Sequence, residues 1–555
     1  MQSELRVHQV YRTARQFVTA SLAILLFACS VVGEPTVTRD TLVDISEVPQ
    51  ARTYSALPEG WQHGAFLEIF VRGWRDSNGD GIGDLRGVTQ SLDYLRDLGI
   101  KCIWLMPITR SADGDHGYAV MDYRGIEPAY GTFADFDELL REAHARGIGV
   151  IMDYVINHSS ARHPLFVDAM SSRDSLYRDW YVWQDPAPTG WDVWGKNPWY
   201  PTASGSFYAT FGAHMPDFNL ENPATMNYHR DNLRFWLNRG LDGFRFDAVP
   251  HLIENGPRDW NDQPASYVLM AQVQALMAAY PHRYLVCEAT ANPTRWAKPY
   301  VCGSAFAFGL ERQIVDAALG KQEGMQAVSD YFKTAPQSMA TMVSNHDIFV
   351  GDRLWDQVKG NPAAYRLAAA TYLLLPGTPF IYYGEEIGMS GASELSGDAR
   401  LRTPMSWTAR SNDGFTRGNV APFRAPASNA PTQNVASAQL DSGSLLHFYK
   451  DMLKLRNTLP SIAQGSYDSP FVQGDVMGYQ RRFQHKQRKE HVLVLINYGN
   501  VAATVDPTNL PARSAFRNIY PFETAGAMTK FSEALRMQIP AQSVRVIEVL
   551  PEDPR

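Results

Sequence analysis

The sequence predicts an α/β fold: a (β/α)8 barrel with an inserted subdomain after its third strand and an antiparallel β domain at its C-terminal end. Three observations predict it. Short apolar runs of strand type alternate with helical patterns over roughly 400 residues, which implies a parallel sheet closed into a TIM-type barrel of eight strands rather than an open sheet. The alternation stops between His158 and about Asn222, a span rich in tryptophan. After Leu459 the helical signal fades into runs of strand type.

Taken in order, residues 1–33 read as a targeting segment. Arg6, Arg12 and Arg15 precede a mostly apolar run from Phe17 to Gly33, short for a bilayer span. Leu26-Phe27-Ala28-Cys29 resembles a bacterial lipobox with Cys29 as the lipidated residue; ordinary cleavage nearby and an uncleaved anchor are the alternatives. Residues 34–58 are polar and Pro-containing and read as a linker. The barrel is expected over 59–460, the insertion over about 159–222, and a β-sandwich domain over 461–555. Strands are expected at Ala65–Val71, Cys102–Met106, Gly149–Asp153, Gly243–Phe246, Tyr284–Cys287, Thr341–Val343 and Pro379–Tyr382. Between them, helical spacing is expected at Val88–Leu98, Phe133–Ala145, Tyr228–Asn238, Tyr267–Ala279 and Ala363–Leu374. Further strands are expected at Val472–Gln480, His491–Asn497 and Ser543–Val549.

Hydrophobic residues make up 45% and charged residues 20% of the chain, which excludes disorder. A net charge of -7 gives no basic footprint, so no nucleic-acid partner is expected. Thirteen Trp and 26 Tyr leave room for aromatic platforms that stack on sugars. Four cysteines are too few for a disulfide scaffold; Cys102 and Cys287 sit in apolar strand-like runs and read as buried thiols, with a Cys287–Cys302 pair in an oxidising compartment as the alternative.

The chemistry is organised around Leu241-Asp242-Gly243-Phe244-Arg245-Phe246-Asp247. Side chains two apart on a strand face one way, so Arg245 and Asp247 share a side. An arginine keeps such a carboxylate ionised and fit to attack a carbon that is becoming cationic; a purely structural pair is the alternative. Asp153, Asn157 and His158, then Glu288, then Asn345, His346 and Asp347 also follow apolar runs. One acid at a strand end is commonly a helix cap. Several converging at the C-terminal mouth of a barrel form a catalytic site. Three carboxylates with no phosphate loop and no metal-ligand cysteines suggest glycoside hydrolysis, one attacking the anomeric carbon and one protonating the leaving oxygen. The third stabilises oxocarbenium-like charge.

These residues carry a family resemblance. Asp153-Tyr154-Val155-Ile156-Asn157-His158, Gly243-Phe244-Arg245-Phe246-Asp247, Glu288-Ala289-Thr290 and Val343-Ser344-Asn345-His346-Asp347 resemble, in order, the motifs of the α-amylase family of retaining glycoside hydrolases. The resemblance implies Asp247 as nucleophile, Glu288 as general acid/base and Asp347 as transition-state stabiliser. Arg245, His158 and His346 would line the subsite of the reacting sugar. His116-Gly117-Tyr118 resembles the family's aromatic platform, and Met215-Pro216-Asp217-Phe218-Asn219 a further family segment.

Asp76-Ser77-Asn78-Gly79-Asp80-Gly81-Ile82-Gly83-Asp84 puts oxygen ligands on alternate residues, with glycines permitting a tight wrap, which suits Ca2+. It is similar to the calcium loop of oligosaccharide-cleaving members, which implies Asp76, Asn78, Asp80, the Ile82 carbonyl and Asp84 as ligands. A second family calcium site would lie near Asn157 and the His251 carbonyl. Pro250 stands where many family members have a lysine touching the leaving-side sugars. Asp115 and Arg402 resemble a pair that closes the pocket of exo-acting α-glucosidases, while Gly117-Tyr118-Ala119-Val120 is similar to sucrose-using glucosyl transferases. The expectation is therefore a secreted, monomeric enzyme cleaving α-1,4 bonds of starch, maltodextrins or maltooligosaccharides, touching a membrane only through a lipid anchor at Cys29. The alternatives are an exo-acting α-glucosidase, a sucrose or maltooligosaccharide transglycosylase, and a non-catalytic carbohydrate-binding protein, which would be expected to lack one of the three acids.

Overall fold

The structure, a computed structural model, describes residues 43–551 except residues 52, 54, 418, 419, 512 and 530–535. The expected signal segment and Cys29 lie outside the described residues.

Seven parallel strands form one curved sheet: β1 (Phe66–Ile69), β2 (Cys102–Leu105), β3 (Gly149–Tyr154), β4 (Gly243–Phe246), β5 (Tyr284–Cys287), β6 (Ala340–Thr341) and β7 (Thr378–Tyr382). Their order is β5-β4-β3-β2-β1-β7-β6. The gap between β5 and β6 is bridged in parallel by Ala305, opposite Cys287, and Phe306, opposite Ala340. That short segment completes the barrel. It has no periodicity to betray it, because two paired residues carry no pattern.

The strands are apolar on both faces because helices cover the outside and side chains fill the inside. Phe66, Trp104, Ile151, Val286, Phe306 and Phe380 pack together as the barrel's filling. Leu67, Ile103, Val150, Phe244 and Leu285 point outward to the helices. The same alternation turns Glu68, Asp153, Arg245, Asp247 and Glu288 inward at the C-terminal mouth. Parallel register then sets Asp153 beside Arg245 on neighbouring strands.

Several expected boundaries are corrected. The first strand stops at Ile69, and Val71–Trp74 turns into a short helix so that the Arg72 carbonyl accepts from the Gly83 amide. The helix expected over 88–98 is two, Leu85–Gln90 capped by Asp84 and Leu92–Leu98. Within the stretch read as a linker, Val48 and Ala51 donate their amides to Asp231 and Asn238, and the Ser55 hydroxyl donates to Asp242.

The insertion after β3 carries a helix, Pro164–Ser171, and a three-stranded antiparallel sheet. The stretch expected as one strand at 472–480 is a hairpin: β8 (Asp468–Gln473) and β9 (Val476–His485), turning at Gly474-Asp475, where Gly474 has φ 57. With β10 (Arg488–Asn497), β11 (Ser514–Tyr520) and β12 (Ser543–Pro551) they form a sheet in the order β8-β9-β10-β12-β11. Alternation divides its faces. Met477, Val494 and Ile496 join the main core, while Val476, Leu493 and Leu495 pack with Val505 and Ile539 of a two-stranded sheet.

Candidate active site

At the barrel mouth one guanidinium organises three carboxylates. Arg245 Nη1 lies 2.8 Å from Asp153 Oδ1 and 2.5 Å from Asp247 Oδ1, and its Nη2 lies 3.0 Å from Glu288 Oε2. The Ala248 amide donates to the same Glu288 oxygen at 2.9 Å. Asp347, after β6, meets Arg402 Nη2 at 2.8 Å and His346 Nε2 at 3.1 Å. All of these groups are buried or nearly so, with Arg245 1% and Asp247 and Glu288 each 7% exposed. The acids that the sequence places far apart thus flank one cleft.

Burial governs their ionisation. Desolvation, with Arg245 opposing it, pushes Asp247 up to about 7 and Asp153 to about 6. Asp347 is raised to about 6 by burial, against Arg402. Glu288 is raised by burial and further by Asp247 beside it. Two guanidiniums cannot offset this many buried carboxylates, so the cluster retains protons. Asp247 and Glu288 titrate as a pair. The shorter contact to Arg245 favours the anion on Asp247 and leaves the proton to Glu288.

A second relay fixes His346. The Tyr118 hydroxyl donates to Asp153 Oδ2 at 2.9 Å and lies 2.7 Å from His346 Nε2. With that proton committed to Asp153, Nε2 is the donor to Tyr118 and Nδ1 is the acceptor. Glu68 Oε1 sits 2.5 Å from Nδ1, and burial raises the Glu68 pKa well above the carboxylate range while lowering that of His346. Glu68 is therefore the protonated partner of a neutral imidazole. Glu68→Gln, which still offers a donor to Nδ1, is expected to keep kcat/KM within a few-fold. Glu68→Ala frees the ring and is expected to lower it by about 10²-fold, since small misplacements of positioning groups cost that much. Steady-state kinetics of both variants check this.

The other expected residues fall as follows. His158 is buried against Phe211 and held neutral, its pKa pushed down to about 3 by burial. The His116 ring lies 5.5 Å from that of Tyr118 and 3.2 Å from Asp113. The Asp115–Arg402 pair does not form: Asp115 Oδ1 accepts from Arg424 Nη2 at 2.7 Å, and Arg424 Nη1 donates to the Arg402 carbonyl at 3.0 Å. Arg402 is instead committed to Asp347 and Asp398. Glu68 and Arg424 are absent from the sequence-derived set. A lone charge at an inward position of an apolar strand was the available signal for Glu68; nothing local marks Arg424.

The family model for the α-amylase catalytic domain matches residues 68–465. The chain belongs to the α-amylase family. It is a glycoside hydrolase of that family by homology as well as by its cluster of acids. It is 34% identical over 465 residues to Alpha-amylase 3 of Dictyoglomus thermophilum, covering 81% of this chain and 88% of the relative. It is 32% identical to an oligo-1,6-glucosidase of Heyndrickxia coagulans, covering 74% and 86%. Among solved structures, the trehalose-6-phosphate hydrolase of Bacillus licheniformis superposes with a TM-score of 0.76 at 25% identity, covering 88% of this chain and 99% of that one.

The α-amylase-family chain also keeps the oxygen-rich loop. Asp76 accepts from the Gly79 and Gly81 amides, Asn78 from Asp80, Asp80 from Ile82, and Asp84 from Ser77 and Gly87. Both Asp80 oxygens and Asp84 Oδ1 accept one hydrogen bond each and keep a second lone pair, whereas both Asp76 oxygens and Asp84 Oδ2 already accept two; the all-oxygen donor set suits a hard cation. Among the described residues no three acidic, histidine or cysteine side chains converge as a metal cluster. An ion there would have to draw Asp76, Asp80 and Asp84 together with Asn78 and the Ile82 carbonyl. At the expected second site, the Asn157 amide donates instead to Asp217.

Proposed function

We infer that this chain is an exo-acting α-glucosidase working by double displacement, with transfer to alcohols as a side reaction. The reading rests on one observation: hydrogen bonds run from Asp115 through the Arg424 guanidinium and the Arg402 carbonyl and side chain to Asp347, and none of these four residues lines the cavity that opens beside Glu288. A subsite closed by these residues admits one non-reducing glucose and no preceding sugar. The glucosidase among the relatives supports it over the starch-cleaving α-amylase expected from the targeting segment. In the reaction, Asp247 attacks the anomeric carbon while Glu288 protonates the departing oxygen. Glu288 then removes a proton from water, which releases glucose with its configuration retained. Asp347, held by Arg402, faces the developing positive charge.

Digestion of maltoheptaose tests the assignment. Glucose as the only early product is expected, and a mixture of maltose, maltotriose and longer chains contradicts it. Asp115→Ala with Arg424→Ala is expected to open the cleft and to let maltose appear among the first products.

Two further parts of the reading have their own supports. Export is supported by the basic and apolar N-terminal segment and by a disulfide between Cys287 and Cys302, at home in oxidising compartments. Calcium is supported by the loop at 76–84. Saturating Ca2+ at 100 times its Kd is expected to stabilise the protein by about 2.7 kcal/mol, read as a rise in Tm over a chelator-treated sample. An unchanged Tm removes calcium from the account.

A further inference from the structure

A cavity of about 470 Å³ opens beside Glu288, and of the three acids Glu288 is the one that lines it. It is therefore the side from which the leaving group departs and the acceptor arrives. Its walls come from four distant parts of the chain: Trp194 and Phe211 of the insertion, His251 after β4, Glu288 and Thr290 after β5, and Phe349 after β6. Besides Glu288, the side chains bring few polar atoms: the Thr290 hydroxyl, the His251 ring and the Trp194 indole N–H. His251 stacks on Trp260 with centroids 5.5 Å apart, meets the Trp194 ring at 5.1 Å, and is kept neutral by burial, which lowers its pKa to about 4. Its Nδ1 is buried without a partner. Neighbouring Pro250 supplies neither charge nor hydrogen-bond donor.

Two of these walls are unusually open. Trp194 is 58% and Phe349 56% exposed. Trp194 sits at the tip of a two-residue turn in which Val193 and Lys196 exchange backbone hydrogen bonds, and it holds φ 50. Such positions favour Gly, Asn or Asp, and a bulky residue kept there is a cue to function. A sugar entering this cavity can stack on the aromatic faces but has only Thr290, His251 and the Trp194 indole N–H besides Glu288 to meet its several hydroxyls, so some of them go unpartnered. A flat apolar ring would fill it at no such cost.

We propose that this site takes aromatic aglycones and hands the glucosyl group to aromatic alcohols in preference to sugars. The proposal rests on the glycosidase reading above. The acceptor hydroxyl attacks the anomeric carbon of the glucosyl–Asp247 ester and its proton passes to the Glu288 carboxylate. The bond from the anomeric carbon to Asp247 breaks, and Asp247 leaves as carboxylate.

The test uses α-glucosyl fluoride as donor, because fluoride is too small to fill the cavity. Transfer relative to hydrolysis is measured with equal concentrations of benzyl alcohol or methyl α-glucoside, in the unmodified chain and in Trp194→Gly and Phe349→Ala. Glycine suits the turn at 194, so that variant leaves its backbone unstrained. Transfer to benzyl alcohol is expected to exceed transfer to the sugar by about tenfold, and each variant to cut the benzyl ratio by about fivefold. Equal or better transfer to the sugar, or ratios unmoved in both variants, overturns the proposal while leaving the glycosidase reading intact. Absence of fluoride release overturns both.

Discussion

Asp247→Asn is expected to reduce glucose release from maltooligosaccharides by about 10⁴-fold or more, the scale of loss when a covalent nucleophile is removed. The side chain keeps its size and place. Arg245 retains its contacts to Asp153 and Glu288, so the cluster loses one of several charges and no packing. What disappears is the anion that forms the glucosyl ester. The effect must therefore fall on turnover while Tm stays within a few degrees of the parent. Cleavage at the parent rate by a folded variant would mean that the nucleophile lies elsewhere.

Glu288→Gln is expected to lose about 10²–10⁴-fold on substrates whose leaving group needs a proton. Glutamine fills the same space and can still accept from the Ala248 amide, but it neither donates an acidic proton nor acts as a base. With α-glucosyl fluoride, whose departure needs no such proton, formation of the ester survives. Azide, which needs no base, is expected to restore turnover and to yield α-glucosyl azide. The pH profile carries the same signature. Burial raises the Glu288 pKa, so kcat/KM of the parent is expected to fall as pH rises through that raised value and the acid loses its proton. In Glu288→Gln acting on α-glucosyl fluoride, that alkaline limb vanishes. Persistence of the limb would assign the proton to another group.

The legible part of this molecule was whatever repeats or follows a repeat. Apolar strands with polar residues just beyond them revealed the barrel and its ring of acids, because both faces of a parallel strand are buried and its C-terminal end faces the cleft. Asp247, Glu288 and Asp347 could be named for that reason. The segment bridging β5 and β6 stayed hidden because two residues have no period. Pairing across the cleft was hidden more deeply. Nothing in the sequence tells Arg402 from Arg424 as the partner of Asp115, because that choice depends on where the two arginines come to lie at the mouth. Glu68 left one trace, a single inward charge within an apolar strand, but it lies inside its strand and not just beyond it like the other acids. The hairpin at Gly474-Asp475 was merged into one strand because apolar residues continue on both sides of the turn.

The central claim is that a glucosyl group becomes bound to Asp247 while Glu288 and Asp347 flank it. The most direct measurement is to incubate the unmodified chain with 5-fluoro-α-glucosyl fluoride, which slows breakdown of the ester, and to locate the label by peptide mass spectrometry. Label on the peptide holding Asp247, and at that residue, is the predicted result. Label on another carboxylate, or release of β-configured product with no label at all, would contradict it.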